Sequence, residues 1–151
     1  TSFYANRLKM FKLTGRKTIA MPTFTKIKET CLYVNDLQRT HDFYHGKLGL
    51  PVISLVEGSH VFFRAGDSVL LCFLPAASKD QDSLPPHYGS GKLHYAFECT
   101  PEDYPRWQAH FKEHGIPITH EQSWKRGLKS FYFEDPDGHV GEIVMHDIWA
   151  G

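Results

Sequence analysis

A strand-like run, a capped helix and a glycine-apolar-proline-apolar stop occur twice in this chain, 66 residues apart within a length of 151. In the first copy IKETCLYV, residues 27–34, sets Cys31 and Tyr33 on one face of a strand and Leu32 and Val34 on the other. Side chains alternate along a strand, so the two faces meet different surroundings. Asn35 or Asp36 can cap the helix that follows, whose stripe is expected at Leu37, Thr40, His41, Tyr44 and Leu48, with Gly49 as its stop. In the second copy LHYAFEC, residues 93–99, leads into Thr100-Pro101-Glu102-Asp103, which combines an N-cap, a proline at the first helical position and a capping acid. Tyr104, Trp107 and Phe111 mark the second stripe, and Gly115-Ile116-Pro117-Ile118 closes that helix as Gly49-Leu50-Pro51-Val52 closes the first.

Each helix is followed by further strand-like runs, at residues 61–64 and 68–74 in the first half and 130–134 and 140–145 in the second. The expected fold class is therefore α+β, with two βαβββ modules forming a curved mixed sheet with helices outside. Module 1 spans residues 25–75 and module 2 residues 92–148. Residues 76–91, rich in Ser, Pro, Asp and Gly, form the linker. Asp135-Pro136-Asp137-Gly138 reads as a tight turn with glycine where φ must be positive. Pairing two such halves, within one chain or between two, produces a concave face suited to a small molecule.

Composition narrows the function classes. Apolar residues at 41% and charged residues at 23% belong to a globular protein. Lys plus Arg equal Asp plus Glu at 17 each, so no basic excess points to nucleic acid. No apolar stretch approaches the roughly 20 residues of a membrane-spanning helix. Arg7, Lys9, Lys12, Arg16 and Lys17 crowd an acid-free start. Residues 1–24 are expected to be an N-terminal extension, non-native or disordered, in preference to a targeting signal. Cys31, Cys72 and Cys99 are odd in number and widely spaced, which fits reduced thiols in the cytoplasm.

CLYVNDLQRTHDFYHGKLGLPV, the strand opening LHYAFE, and SFYFEDPDGHVGEI together resemble the vicinal oxygen chelate superfamily over residues 25–148. That group includes glyoxalase I, the bleomycin-resistance proteins, extradiol dioxygenases, methylmalonyl-CoA epimerase and the fosfomycin-resistance thiol transferases. The resemblance implies metal ligands at Glu29, His94 and Glu142. Alternation supports it for Glu29, which shares a face with Cys31 and Tyr33, and for Glu142, which lies opposite Ile143. Two carboxylates and one imidazole suit a divalent ion such as Mn, Fe, Co, Ni or Zn. Glu29 as a surface carboxylate and His94 as a hydrogen-bonded core histidine are the structural alternatives. The other histidines are expected to be mostly solvated or helix-facing.

The chain departs from its relatives. Residues 68–74 offer no Glu or Gln as a fourth ligand, and one histidine cannot make the two-His triad of the extradiol dioxygenases. The closest local likeness is to the fosfomycin-resistance thiol transferases, through residues 94–98 and 130–139. However, residues 125–129 are too few for that group's potassium-binding loop, Cys31 replaces an expected threonine, and the arginine expected after the last strand is absent. Fosfomycin is therefore not the expected substrate. Cys31 reads as an inert thiol, because no histidine adjoins it to stabilise a thiolate.

Two functions follow. One is a metal-dependent lyase, isomerase or transferase acting on adjacent oxygens of a small substrate, with Glu142 or Glu29 as base. The other is a metal-free module that sequesters a flat ligand, as the bleomycin-resistance proteins do. Tyr33, Phe62, Tyr95, Trp124 and Tyr132 are the candidate lining, with Lys125, Arg126 and Lys129 as candidate clamps for an anion. The resemblance also implies a homodimer.

Overall fold

A computed structural model describes residues 20–151. The expected extension lies outside the described residues up to position 19, and residues 20–28 carry no helix or strand. The first module runs β1 (Glu29–Tyr33), α1 (Leu37–His41), β2 (Val52–Val56), β3 (His60–Ala65) and β4 (Ser68–Phe73). A short α2 (Pro75–Lys79) opens the linker. The second module runs β5 (His94–Cys99), α3 (Asp103–Glu113), β6 (His120–Ser123), β7 (Lys129–Glu134) and β8 (Val140–Met145).

Each module forms its own four-stranded sheet, ordered β1-β4-β3-β2 and β5-β8-β7-β6. In both, the first strand pairs parallel to the last and the others are antiparallel. The fold is therefore α+β with two βαβββ modules, as expected.

Local chemistry explains the helices. Asp36 accepts from the Arg39 N–H at 2.9 Å and caps α1, while Thr100 Oγ1 accepts from the Asp103 N–H at 3.2 Å and starts α3. Gly49 and Gly115 end the helical segments at φ of +73° and +65°. The first helix widens into a π turn over Asp42–Lys47, which shifts its phase. Phe43 and Tyr44 consequently both enter the core, whereas His41, expected in the stripe, stays half-exposed.

One core serves both modules. Leu32, Val34, Val61, Phe63, Leu70 and Cys72 of the first module share it with Tyr95, Phe131, Phe133 and Ile143 of the second. The β7–β8 turn stitches the seam. Tyr44 donates to Asp135 Oδ2 at 2.8 Å and accepts from the Tyr95 hydroxyl, and Asp137 Oδ1 accepts from the Asn35 N–H at 2.9 Å. His139 is buried, contrary to the expectation of a solvated histidine. Its Nδ1 accepts from the Leu93 N–H at 3.0 Å, so Nε2 carries the proton and donates to the Tyr33 carbonyl at 2.7 Å. With one face of each sheet turned to this core, the opposite faces are left open.

Candidate functional site

The open face of the second sheet is set by register. Across β5-β8-β7-β6, Ala96, Glu142, Tyr132 and His120 form one row, and His94 stands diagonal to Glu142 beside Val140. His94 Nδ1–H donates to the Val140 carbonyl at 2.9 Å, which turns Nε2 toward Glu142 Oε2 at 3.4 Å. A backbone carbonyl holding one imidazole nitrogen is the arrangement that orients metal-binding histidines. The Glu142 side chain is only 8% exposed, and its Oε1 is buried with no hydrogen-bond partner among the described residues. A buried carboxylate oxygen in an otherwise apolar strand is costly without a partner.

Tyr132 stacks beside His94 at 6.0 Å between ring centres and has His120 at 5.7 Å on another side. Burial, with the charge of Glu142 behind it, pushes the Tyr132 phenol up, so it stays a neutral donor. Trp124 Nε1 donates to the fully buried Ser130 Oγ at 2.9 Å, which fixes the indole at this face's edge.

The remaining nominated residues divide by sheet and by strand parity. Glu29, Cys31, Tyr33 and Phe62 lie on the open face of the first sheet, with Glu29 exposed. Among the described residues no three His, Cys, Asp or Glu side chains are grouped to hold an ion, and Glu29 stands on the first sheet while His94 and Glu142 stand on the second. Burial, with the Glu29 charge second, pushes the Cys31 thiol up, consistent with an inert thiol.

Three nominations are corrected. Tyr95 does not line an open face; next to His94, alternation turns it inward, where it is 7% exposed and bonded to Tyr44. Arg126 is no anion clamp, because its guanidinium donates to the Asp147 and Ala150 carbonyls at 2.6 and 3.0 Å and its backbone has φ of 62°. Lys129 has the parity of Phe131 and so belongs to the helix side of β7. Lys125 stays exposed in the turn Lys125–Gly127.

Several contributors escaped the sequence reading. His60 and Phe73 share the open face of the first sheet with Phe62, which parity within their strands could have revealed. His87 comes from the linker, and no periodic signal marks it.

The strand registers also superimpose the modules. Glu29 pairs with Val69 as His94 pairs with Val140, so Leu71 occupies the place of Glu142 and Phe62 that of Tyr132. The carboxylate of the second module is thus exchanged for leucine at the equivalent position of the first.

A family model described as "Glyoxalase/Bleomycin resistance protein/Dioxygenase superfamily" matches residues 26–143. A curated protein named glutathione transferase FosA, from Serratia marcescens, is 31% identical over 122 residues, covering 79% of each chain. Among solved structures, a lactoylglutathione lyase from Agrobacterium tumefaciens aligns with a TM-score of 0.80 at 31% identity, over 85% of this chain and 98% of that one. A glyoxalase/dioxygenase from Nostoc punctiforme aligns with a TM-score of 0.61 at 25% identity, over 85% and 96%.

Proposed function

The chain belongs to the glyoxalase/bleomycin resistance protein/dioxygenase superfamily, and from that premise we propose that it is a divalent-metal-dependent enzyme of lyase, isomerase or transferase type acting on a small substrate with adjacent oxygens. The observation that carries this reading is the pair formed by His94 and Glu142, one with a ring nitrogen oriented toward the other, whose Oε1 is buried without a hydrogen-bond partner among the described residues. That donor set fits Mn, Fe, Co, Ni or Zn. Bound there, such an ion would polarise the substrate's adjacent oxygens.

The third donor is Glu29 from a second copy of the chain. The open faces belong to different sheets, and the repeat gives Glu29 the strand position of His94. Two-fold pairing of the first sheet of one protomer with the second sheet of its partner completes two equivalent sites in a homodimer. Around each, Tyr132 donates a hydrogen bond to a substrate oxygen, and Trp124 and Lys125 border the entrance. Glu142 or Glu29 would serve as the base that accepts a proton from substrate. The free Cys31, Cys72 and Cys99 fit a cytoplasmic protein.

Metal analysis of protein purified without a metal-affinity tag tests this. The expected result is near-stoichiometric transition metal in the wild type and its loss in His94→Ala, because carboxylates alone do not select a borderline ion. Loss of a mere supporting contact would cost only about 10- to 100-fold in affinity. Unchanged stoichiometry in His94→Ala would overturn the ligand set. Absence of metal after reconstitution would favour the metal-free sequestering module.

A further inference from the structure

We propose that the molecule held at this site carries a flat, uncharged ring that lies against Phe62, so that the substrates are aryl-bearing or similarly unsaturated compounds with adjacent oxygens. This rests on the metal-dependent reading and on the pairing of first and second sheets.

The first module of the repeat lacks the polar row of the second. On the second sheet the central row reads Glu142, Tyr132, His120, a carboxylate, a phenol and an imidazole. The registers place Leu71, Phe62 and Ser54 at the equivalent positions of the first sheet. One wall of the completed site is therefore polar and donor-rich, while the facing wall presents leucine and phenylalanine.

That apolar wall is a continuous aromatic surface. His60 stacks on Phe62 with centroids 3.9 Å apart and planes 12° from parallel. Phe62 meets Phe73 edge to face at 5.1 Å, Phe73 meets His87 at 4.7 Å, and His87 meets Tyr33 at 5.9 Å. The assembly is pinned by polar contacts at its rims. His60 is held by Ser59 at 2.9 Å and Ser54 at 3.1 Å, and the Tyr33 hydroxyl bonds His87 Nδ1 at 2.8 Å. Burial pulls the His60 imidazole below its ordinary value, so the ring behind Phe62 is neutral at neutral pH. Half-buried and backed by a rigid neutral ring, Phe62 is prepared to stack with a planar ligand group at little cost in ordering.

Of the three cations nominated to clamp an anion, Arg126 is committed to the C-terminal turn and Lys129 belongs to the helix side, which leaves Lys125, exposed in its turn on the second module and not on the Phe62 wall. The first sheet's open-face cation, Arg64, shares a row with Glu29, toward the opposite end of β3 from His60.

Two hydroxamates that chelate through adjacent oxygens make the test, acetohydroxamate and benzohydroxamate, titrated into the Co(II)-loaded protein and followed by the visible spectrum of the metal. The expected result is that benzohydroxamate binds about 10-fold more tightly, beyond any preference shown by free Co(II) in buffer. Phe62→Ala and the milder Phe62→Leu should both erase that preference while leaving acetohydroxamate affinity within about 2-fold. The leucine variant preserves apolar volume and so guards against loss of fold. A preference equal to that of free Co(II), or one that survives both substitutions, overturns the aryl assignment while leaving the metal reading intact. Failure of the protein to bind Co(II) overturns both.

Discussion

Gly141 bears directly on the position of Glu142 next to it. A Cβ at Gly141 would run into the ring of Phe133, itself fully buried in the common core. Gly141→Ala should therefore destabilise by about 1–3 kcal/mol, lowering Tm by several degrees in a scanning calorimeter, because a packed aromatic core yields little. Asp135 makes a second prediction. Burial raises its carboxyl above the ordinary 3.8, against the lowering effect of the Tyr44 hydroxyl and the backbone N–H of His139 and Asp137. A folded-state value above the unfolded one means the native state binds the proton more tightly. The stability from that proton is complete below about 3.8 and fades as pH rises through the elevated value. In Asp135→Asn, which keeps an acceptor for both N–H groups, this decline should vanish. Urea denaturation at about pH 4 and pH 7 should thus find the wild type losing ground to the variant toward neutrality. A wild-type advantage that grows with pH would contradict the sign.

At the scale of elements, strand parity decides which nominated side chains work together. His94 and Tyr95 are neighbours in sequence and cannot serve the same face; Lys129 and Ser130 are separated in the same way. The turn Lys125–Gly127 supports a further prediction, since Arg126 ties it to the Asp147 and Ala150 carbonyls. Arg126→Ala should speed amide hydrogen exchange around residues 147–150 while leaving hydroxamate affinity unchanged, whereas Trp124→Ala should weaken ligand binding. A salt-sensitive loss of affinity in Arg126→Ala would restore the anion-clamp role. The turn from Asp135 to His139 is likewise more than a hairpin, because its side chains bond Tyr44, Asn35 and the Tyr33 carbonyl in the other module.

For the whole molecule, the proposed site has its donors on two open faces that flank one core, so on that proposal its third donor would come from a second copy. Mixing Glu29→Ala with His94→Ala protomers tests this. Each variant homodimer lacks one donor at both sites. A mixed dimer, however, unites the intact Glu29 of one chain with the intact His94 of the other at one of its two sites. Refolding the two together should recover about a quarter of wild-type metal binding if exchange is random. No recovery, or a monomer mass by light scattering at micromolar concentration, would remove the shared site.

The βαβββ repeat, the caps of both helices and the Gly138 turn were legible in the sequence because each depends on local spacing or on a periodicity that backbone geometry imposes, whereas Glu142 and His94 were singled out only through the family resemblance. The sheet on which Glu29 stands relative to the other two donors was not legible, since alternation specifies a face but not which faces meet. Nor could the sequence show that Tyr95 spends its hydroxyl on Tyr44, that Arg126 turns to the C-terminal carbonyls, or that His139 staples Leu93 to Tyr33. The phase shift of the π turn that brings Phe43 inward was equally hidden. These are contacts between residues far apart in the chain, chosen by the packing of two modules on one core. Such packing depends on the simultaneous fit of many side chains, whereas a periodic pattern needs only the geometry of one strand or helix.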